Sequence, residues 1–198
     1  MNNYRPISVL PTLSKLFEKF VYSQIYEYLI RFNLIFKNQS GFRSKHSCHT
    51  ALTKLVDDLF KEMDNGNYTG ILFLDFKKAF DVVNHCILLS KLKTYKLDSL
   101  CLKWFDSYLS DRSQRVGINN VMSSERGIKF GIPQGSILGP LLFLIYINDL
   151  PFSLSHSESD LYADDTTIHY SSKTVSNICD CLNNDLRNLS KWCYENDI

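Results

Sequence analysis

The chain has 198 residues, 44% of them hydrophobic and 22% charged, which excludes a disordered or low-complexity polymer and suffices for one domain with a real core, or one domain plus part of a second. Lys and Arg total 22 against 21 Asp and Glu, a balance that by itself predicts no nucleic-acid partner. The distribution says more: residues 1–70 carry 9 basic and 6 acidic side chains, residues 71–130 carry 10 and 6, and residues 131–198 carry 3 and 9, so the first two thirds suit a phosphate backbone and the last third suits cations.

In chain order, Leu13, Leu16, Phe17, Phe20, Val21, Ile25, Tyr28 and Leu29 recur at intervals of three and four, predicting a long amphipathic helix that opens near Thr12. A second helix presents Ala51, Leu52, Leu55, Val56, Leu59 and Phe60 and ends at Asp64-Asn65-Gly66-Asn67. Ile71-Leu72-Phe73-Leu74 reads as a strand buried on both faces, and it stops abruptly on Asp75. Helices follow around Ile87–Leu92 and Leu100–Leu109, with Asp81 as the expected cap of the first. Residues 114–131 alternate and turn as a hairpin. The loop Gly131-Ile132-Pro133-Gln134-Gly135-Ser136 then opens an apolar helix, in which Pro140 suits the first turn and Asn148 marks the end. Ile178, Leu182, Leu186 and Leu189 define a final helix.

Six cysteines without a CxxC pair or zinc-type spacing read as reduced, intracellular thiols. The N-terminus lacks the order of a signal peptide. The apolar run Ile137–Ile147 is broken by Gly139-Pro140 and too short for a bilayer, so no membrane partner is expected.

Tyr162-Ala163-Asp164-Asp165 sits in a β-prone run. Adjacent strand residues point to opposite faces, so both acids serve one site only at a turn. Alone, the tetrapeptide is equally a solvated hairpin turn, and Asp75 alone is a helix cap. Together, three carboxylates brought to one place would hold two divalent ions about 3.5 to 4 Å apart for phosphoryl or nucleotidyl transfer.

Five blocks carry a resemblance. They are Asn3-Tyr4-Arg5-Pro6-Ile7-Ser8, Gln39-Ser40-Gly41-Phe42-Arg43, Phe73-Leu74-Asp75-Phe76-Lys77-Lys78-Ala79-Phe80-Asp81, Gly131 through Leu141, and Tyr162-Ala163-Asp164-Asp165. In this order they resemble the reverse transcriptase domain of non-long-terminal-repeat, LINE-type retrotransposons. The resemblance implies an α+β right-hand polymerase: an antiparallel palm sheet with helices on one face (71–198) and partial, largely helical fingers (1–70), without a thumb. It also implies an RNA-directed DNA polymerase working on an RNA template, a DNA primer and dNTP inside the cell, with the nucleus as its site of action. The oligomeric state is left open.

Residue by residue, the resemblance makes Asp75, Asp164 and Asp165 the metal-binding triad for two Mg²⁺ ions (Mn²⁺ substituting), with the Phe76 carbonyl completing a shell. Arg5 would reach the triphosphate. Ala79 and Phe80 would line the nucleotide, Phe80 excluding a 2′-hydroxyl; on composition alone it joins an apolar set with Phe73 and Phe76. Gln134 and Gly135 would pack on the nascent base pair, or form a structural turn. Arg43, Lys77, Lys78 and Tyr162 would touch nucleic acid. Lys96 stands where relatives usually have glycine, and His49 replaces a common acid. The alternative to a polymerase is a catalytically silent remnant that at most binds nucleic acid.

Overall fold

A computed structural model describes residues 7–198. Among these residues, six α-helices pack around a small sheet: α1 (Thr12–Arg31), α2 (Cys48–Asp64), β1 (Tyr68–Leu74), α3 (His85–Thr94), α4 (Ser99–Leu109), the short strands β2 (Ser113–Gln114), β3 (Gly117–Ile118), β4 (Val121–Met122) and β5 (Arg126–Gly127), then α5 (Gly139–Ile147), β6 (Glu158–Tyr162), β7 (Asp165–Ser172) and α6 (Val175–Glu195). The main sheet is antiparallel in the order β1-β7-β6. This is the mixed α+β architecture expected, an antiparallel sheet with helices packed against it.

The core is built around α5. Every residue from Leu141 to Ile147 is buried, and each such Leu, Ile or Phe stabilises the fold by about 1.5–3 kcal/mol relative to an exposed one. A helix apolar on all sides can only sit inside. Leu88 and Leu92 of α3 and Phe105 and Leu109 of α4 pack into the same core, as do Ile178, Leu182 and Leu189 of α6. Pro140 lies in the first turn of α5 and Asn148 caps its end.

Helix starts follow short polar side chains. The Ser47 hydroxyl accepts from Thr50 N, and the Thr50 hydroxyl accepts from Ser47 N, closing a capping box on α2. Asn84 caps α3 by accepting from Cys86 N at 2.9 Å and Ile87 N at 3.3 Å. Asp81 therefore does not cap α3, contrary to expectation: a residue immediately before the first turn reaches its amides, and Asp81 lies three residues too early.

Two further expectations change. β1 is an edge strand, with Phe73 76% exposed, so it is not buried on both faces. Its even-numbered residues meet the core and α6: a side chain at Gly70 would come within 2.4 Å of Ile178, while Leu72 and Leu74 pack on the core. The odd-numbered residues face the more open side, which accounts for an apolar run without two buried faces. Likewise, the apolar stripe of α1 is only half used. Ile25 and Leu29 are buried, whereas Leu13, Leu16, Phe17 and Phe20 are exposed, as are Leu52 and Phe60 of α2.

The 114–131 hairpin consists of two separate ladders, Ser113–Gln114 with Arg126–Gly127 and Gly117–Ile118 with Val121–Met122. Asn119 and Asn120 both take positive φ between β3 and β4, the conformation a tight two-residue hairpin turn requires.

Candidate functional site

Cross-strand register brings the acidic motif and Asp75 to one end of the sheet. β6 and β7 pair from Glu158 with His169 to Tyr162 with Asp165, leaving Ala163 and Asp164 as a two-residue turn. β1 pairs with β7 from Tyr68 with Ser172 to Leu74 with Thr166. That register stops one residue short of Asp75 on β1 and of Asp165 on β7. Paired residues share a face, so Asp165, and Asp75 by alternation from Phe73, belong with Thr167, His169 and Asp160 on the α2 side of the sheet, opposite α6. Ala163 holds φ +59°, and this left-handed residue is where the strand alternation breaks.

The turn is held from outside the sheet. Gln39 is 2% exposed, and its Oε1 accepts from Ala163 N at 3.0 Å and Gly41 N at 2.8 Å. Ser40 N donates to the Leu161 carbonyl at 2.8 Å, and Leu161 N donates to the Asn38 carbonyl at 3.0 Å, so residues 38–40 form a short parallel addition to β6. Asn38 Nδ2 reaches the Ser159 carbonyl at 3.0 Å. Gly41 lies against the turn so closely that a Cβ would stand 2.2 Å from Ala163 N. Arg43 serves this loop: its Nη1 donates to the carbonyls of Phe36, Lys37 and Gln39 at 3.3, 3.4 and 3.0 Å. That internal use was not foreseen from sequence.

The segment after Asp75 turns back toward α5. Phe80 stacks on Phe143 at 4.4 Å between ring centroids and meets Phe42 edge-on at 6.1 Å, so its ring is fixed between the core and the Gln39 loop. Ala79 is buried, Phe76 half-buried, and Lys77 and Lys78 are exposed, Lys78 at φ +57°. Tyr162 pairs with Asp165, and hydrogen bonding to the Cys48 thiol pushes its hydroxyl pKa up.

Gln134 Nε2 donates to Asp81 Oδ1 at 2.9 Å, and the Gln134 carbonyl accepts from Ser8 N at 2.7 Å. Gly135 has φ +112°, and a Cβ there would meet the Ser8 carbonyl at 2.7 Å; the close approach this glycine permits is therefore to the chain's own backbone. Arg5 and the rest of its block before Ile7 lie outside the described residues.

One anchor of this loop gave no sequence cue beyond an acid on the apolar side of a helix. Glu18, 2% exposed in α1, accepts from Ile137 N at 2.6 Å, Leu138 N at 3.4 Å and the Tyr108 hydroxyl at 2.9 Å. A carboxylate at the amide end of α5 also faces the favourable end of the helix dipole.

Among the described residues, the acid and histidine donors that all lie within 4.8 Å of one another are Asp58, Asp160 and His169, farther along the same face, where α2 covers it. A cation already occupies this cluster: Lys54 Nζ bonds Asp58 at 2.7 Å and Asp160 at 2.9 Å, and His169 Nε2 lies 3.2 Å from Asp160. Burial acts to raise the Asp160 pKa, but the His169 and Lys54 contacts outweigh it and hold the carboxyl below its usual value. This network braces α2 against the hairpin.

Asp75, Asp164 and Asp165 carry hard oxygen donors of the kind Mg²⁺ and Mn²⁺ prefer. No helix among the described residues is long and apolar enough to cross a membrane.

Comparison with known proteins shows the family. The family described as "Reverse transcriptase (RNA-dependent DNA polymerase)" matches residues 1–198. The chain is 33% identical over 198 residues to the probable RNA-directed DNA polymerase from transposon BS of Drosophila melanogaster, covering 96% of this chain and 22% of that protein. It is 34% identical over 194 residues to the corresponding polymerase of the X-element of the same species, covering 96% and 21%. The chain thus spans about a fifth of the length of the curated relatives it matches. Its fold resembles that of telomerase from Candida albicans, solved with a fragment of telomeric RNA, at a TM-score of 0.57 and 16% identity, covering 88% of this chain and 30% of that one. On the whole-length family match, this chain belongs to the reverse transcriptase (RNA-dependent DNA polymerase) family.

Proposed function

We propose that the chain is the fingers (1–70) and palm (71–198) of an RNA-directed DNA polymerase that extends a DNA primer with dNTP on an RNA template, acting in the nucleus. The observation that supports this reading is that β1 ends at Leu74 opposite Thr166, one residue short of both Asp75 and Asp165, with Asp164 in the adjoining turn. Asp75, Asp164 and Asp165 would hold the divalent ions, Mg²⁺ or Mn²⁺, with the Phe76 carbonyl as a further ligand. When bound, such ions supply charge neutralisation at the phosphates and a lowered pKa at the primer hydroxyl.

The chain's own residues account for orientation and selectivity. Phe80, held between Phe143 and Phe42, cannot swing aside, so a 2′-hydroxyl placed over it would clash and deoxyribose would be preferred. Gln134 and Gly135 line the loop reserved for the nascent pair, Arg5 would meet the triphosphate, and Ala79 would back the sugar. Lys77, Lys78 and Tyr162 are assigned to nucleic-acid contact.

Primer extension on an RNA template with Mg²⁺ or Mn²⁺ tests the reading, comparing the chain with Asp164→Asn. Incorporation should fall by at least about 10²-fold in the variant, the scale of losing one transition-state charge stabiliser. Equal incorporation by both would sink the assignment of the acidic turn, and incorporation by neither would favour a chain that only binds nucleic acid.

A further inference from the structure

The sequence places Gln39 in a loop of the fingers segment, 124 residues before Ala163 in the chain. In the fold its side chain is buried at the acidic turn, with Oε1 as the shared acceptor for Ala163 N and Gly41 N. A two-residue turn whose first residue is an alanine at φ +59° is not what alanine prefers: the left-handed region costs a non-glycine residue about 1–2 kcal/mol. An external acceptor on that residue's own amide is the means of holding it. The backbone pairing of residues 38–40 with Leu161 fixes where Gln39 stands, and Arg43 ties the loop's carbonyls together behind it.

We infer that Gln39 is a positioning residue for the acidic turn: its side-chain carbonyl, through Ala163 N–H, fixes the backbone conformation from which Asp164 projects. The inference rests on the polymerase reading of Asp164 and Asp165 for its functional consequence, but not for its structural one. It also assigns the loop block Gln39-Ser40-Gly41 a role independent of any contact with nucleic acid. Gly41 is required because only a residue without a Cβ lets the loop reach the turn.

The test uses the 198-residue chain and two variants. Gln39→Met keeps the length of the side chain and removes the acceptor. Gln39→Glu keeps an acceptor oxygen. Residue-resolved amide hydrogen exchange should show Ala163 exchanging about tenfold faster in Gln39→Met, the factor equivalent to one net hydrogen bond. Leu161 and Ile168 should exchange as in the parent chain, and Gln39→Glu should retain Ala163 protection. In primer extension, Gln39→Met should lower kcat by roughly 10- to 100-fold with the KM for dNTP nearly unchanged, because misplacement rather than binding is the defect. Gln39→Glu should recover most of that loss.

Unchanged Ala163 exchange in Gln39→Met overturns the inference. So does an unchanged kcat, or a loss of kcat that Gln39→Glu fails to recover while Leu161 and Ile168 lose protection as well, since that is general unfolding. If the parent chain itself does not extend a primer, the polymerase reading fails separately, and the exchange comparison alone decides whether Gln39 fixes the turn.

Discussion

Replacing Gly41 by alanine adds one methyl group at the tightest contact around the acidic turn. The new Cβ would stand 2.2 Å from Ala163 N and 2.9 Å from both Ala163 Cα and Cβ. Two of these atoms are backbone, so no side-chain rotation relieves the clash, and the loop must withdraw from the turn. Overpacking of this kind costs about 1–3 kcal/mol. Withdrawal also loosens the Gln39 bonds to Gly41 N and Ala163 N, at about 1 kcal/mol each. The total of roughly 3–5 kcal/mol corresponds to a fall in Tm of about 6–20 °C for a chain of this size. Gly127→Ala is the matched control, because a Cβ there meets nothing within 4 Å, and a surface change of this kind stays within about 0.5 kcal/mol. Thermal melts of the two variants against the parent chain decide the matter. A Gly41→Ala melt indistinguishable from Gly127→Ala would refute the close-packed loop, and with it the argument for the Gln39 clamp.

Three other outcomes follow from the geometry. Lys96 holds φ +57° between α3 and α4, so Lys96→Gly should stabilise the fold by about 1 kcal/mol, read as a Tm rise of about 2–4 °C. Asp185, buried on α6, accepts from the amides of Ser155 and Ser157 at 2.7 Å each and from His156 at 3.1 Å; burial acts to raise its pKa, but the hydrogen bonds to its carboxylate outweigh it and lower it. The stability that these amide bonds to the Asp185 carboxylate contribute is present above the unfolded value of about 4 and lost as pH falls through the depressed folded one, so urea midpoints of Asp185→Asn and the parent should differ at neutral pH and converge in acid. Glu18→Leu, which leaves Ile137 N and the Tyr108 hydroxyl without their acceptor, should cost about 3 kcal/mol, whereas Glu18→Gln, still offering a carbonyl, should cost less than half of that by the same denaturation.

Much of the fold is legible in the sequence because its longest elements obey periodicity. The expected opening at Thr12, the end of α2 at Asp64 and the reach of α5 to Asn148 all coincide with the structure. What periodicity cannot give is which part of an apolar stripe finds a partner. Hydropathy does not separate Ile25 from Phe17 within α1, yet one is buried and the other 68% exposed. The same limit misplaced β1: four consecutive apolar residues imply two covered faces only where other elements pack on both sides of the sheet, and at Phe73 one side is left exposed. The turn at Ala163-Asp164 was legible because strand alternation has to break for adjacent acids to serve one site. Gln39 and Glu18 were not, since a buried amide or carboxylate is defined by partners more than 100 residues away.

The polar ties radiating from α5 explain why segments so distant in sequence can present one site. Glu18 holds the entrance of α5 through Ile137 N, and at its exit Asn148 accepts from Phe36 N at 2.7 Å and donates to the Leu34 carbonyl at 2.8 Å. Those two bonds set the start of the loop that continues through Gln39 to the acidic turn. On its flank, Phe143 supports Phe80, and Lys91 of α3 donates to the Tyr146 carbonyl at 2.6 Å and lies over the Tyr146 and Trp192 rings. Each tie is to backbone or to an aromatic face, so each joins α5 to a neighbouring element through a group with little freedom of its own. A rigid apolar post therefore fixes the end of the Gln134 loop, the Phe80 ring and the root of the Gln39 loop at once. Removing Asn148 should then loosen the acidic turn from a distance: in Asn148→Ala, Ala163 N–H should lose exchange protection although neither it nor Gln39 has been touched, and an unaltered Ala163 amide would show that the loop holds its place without the post.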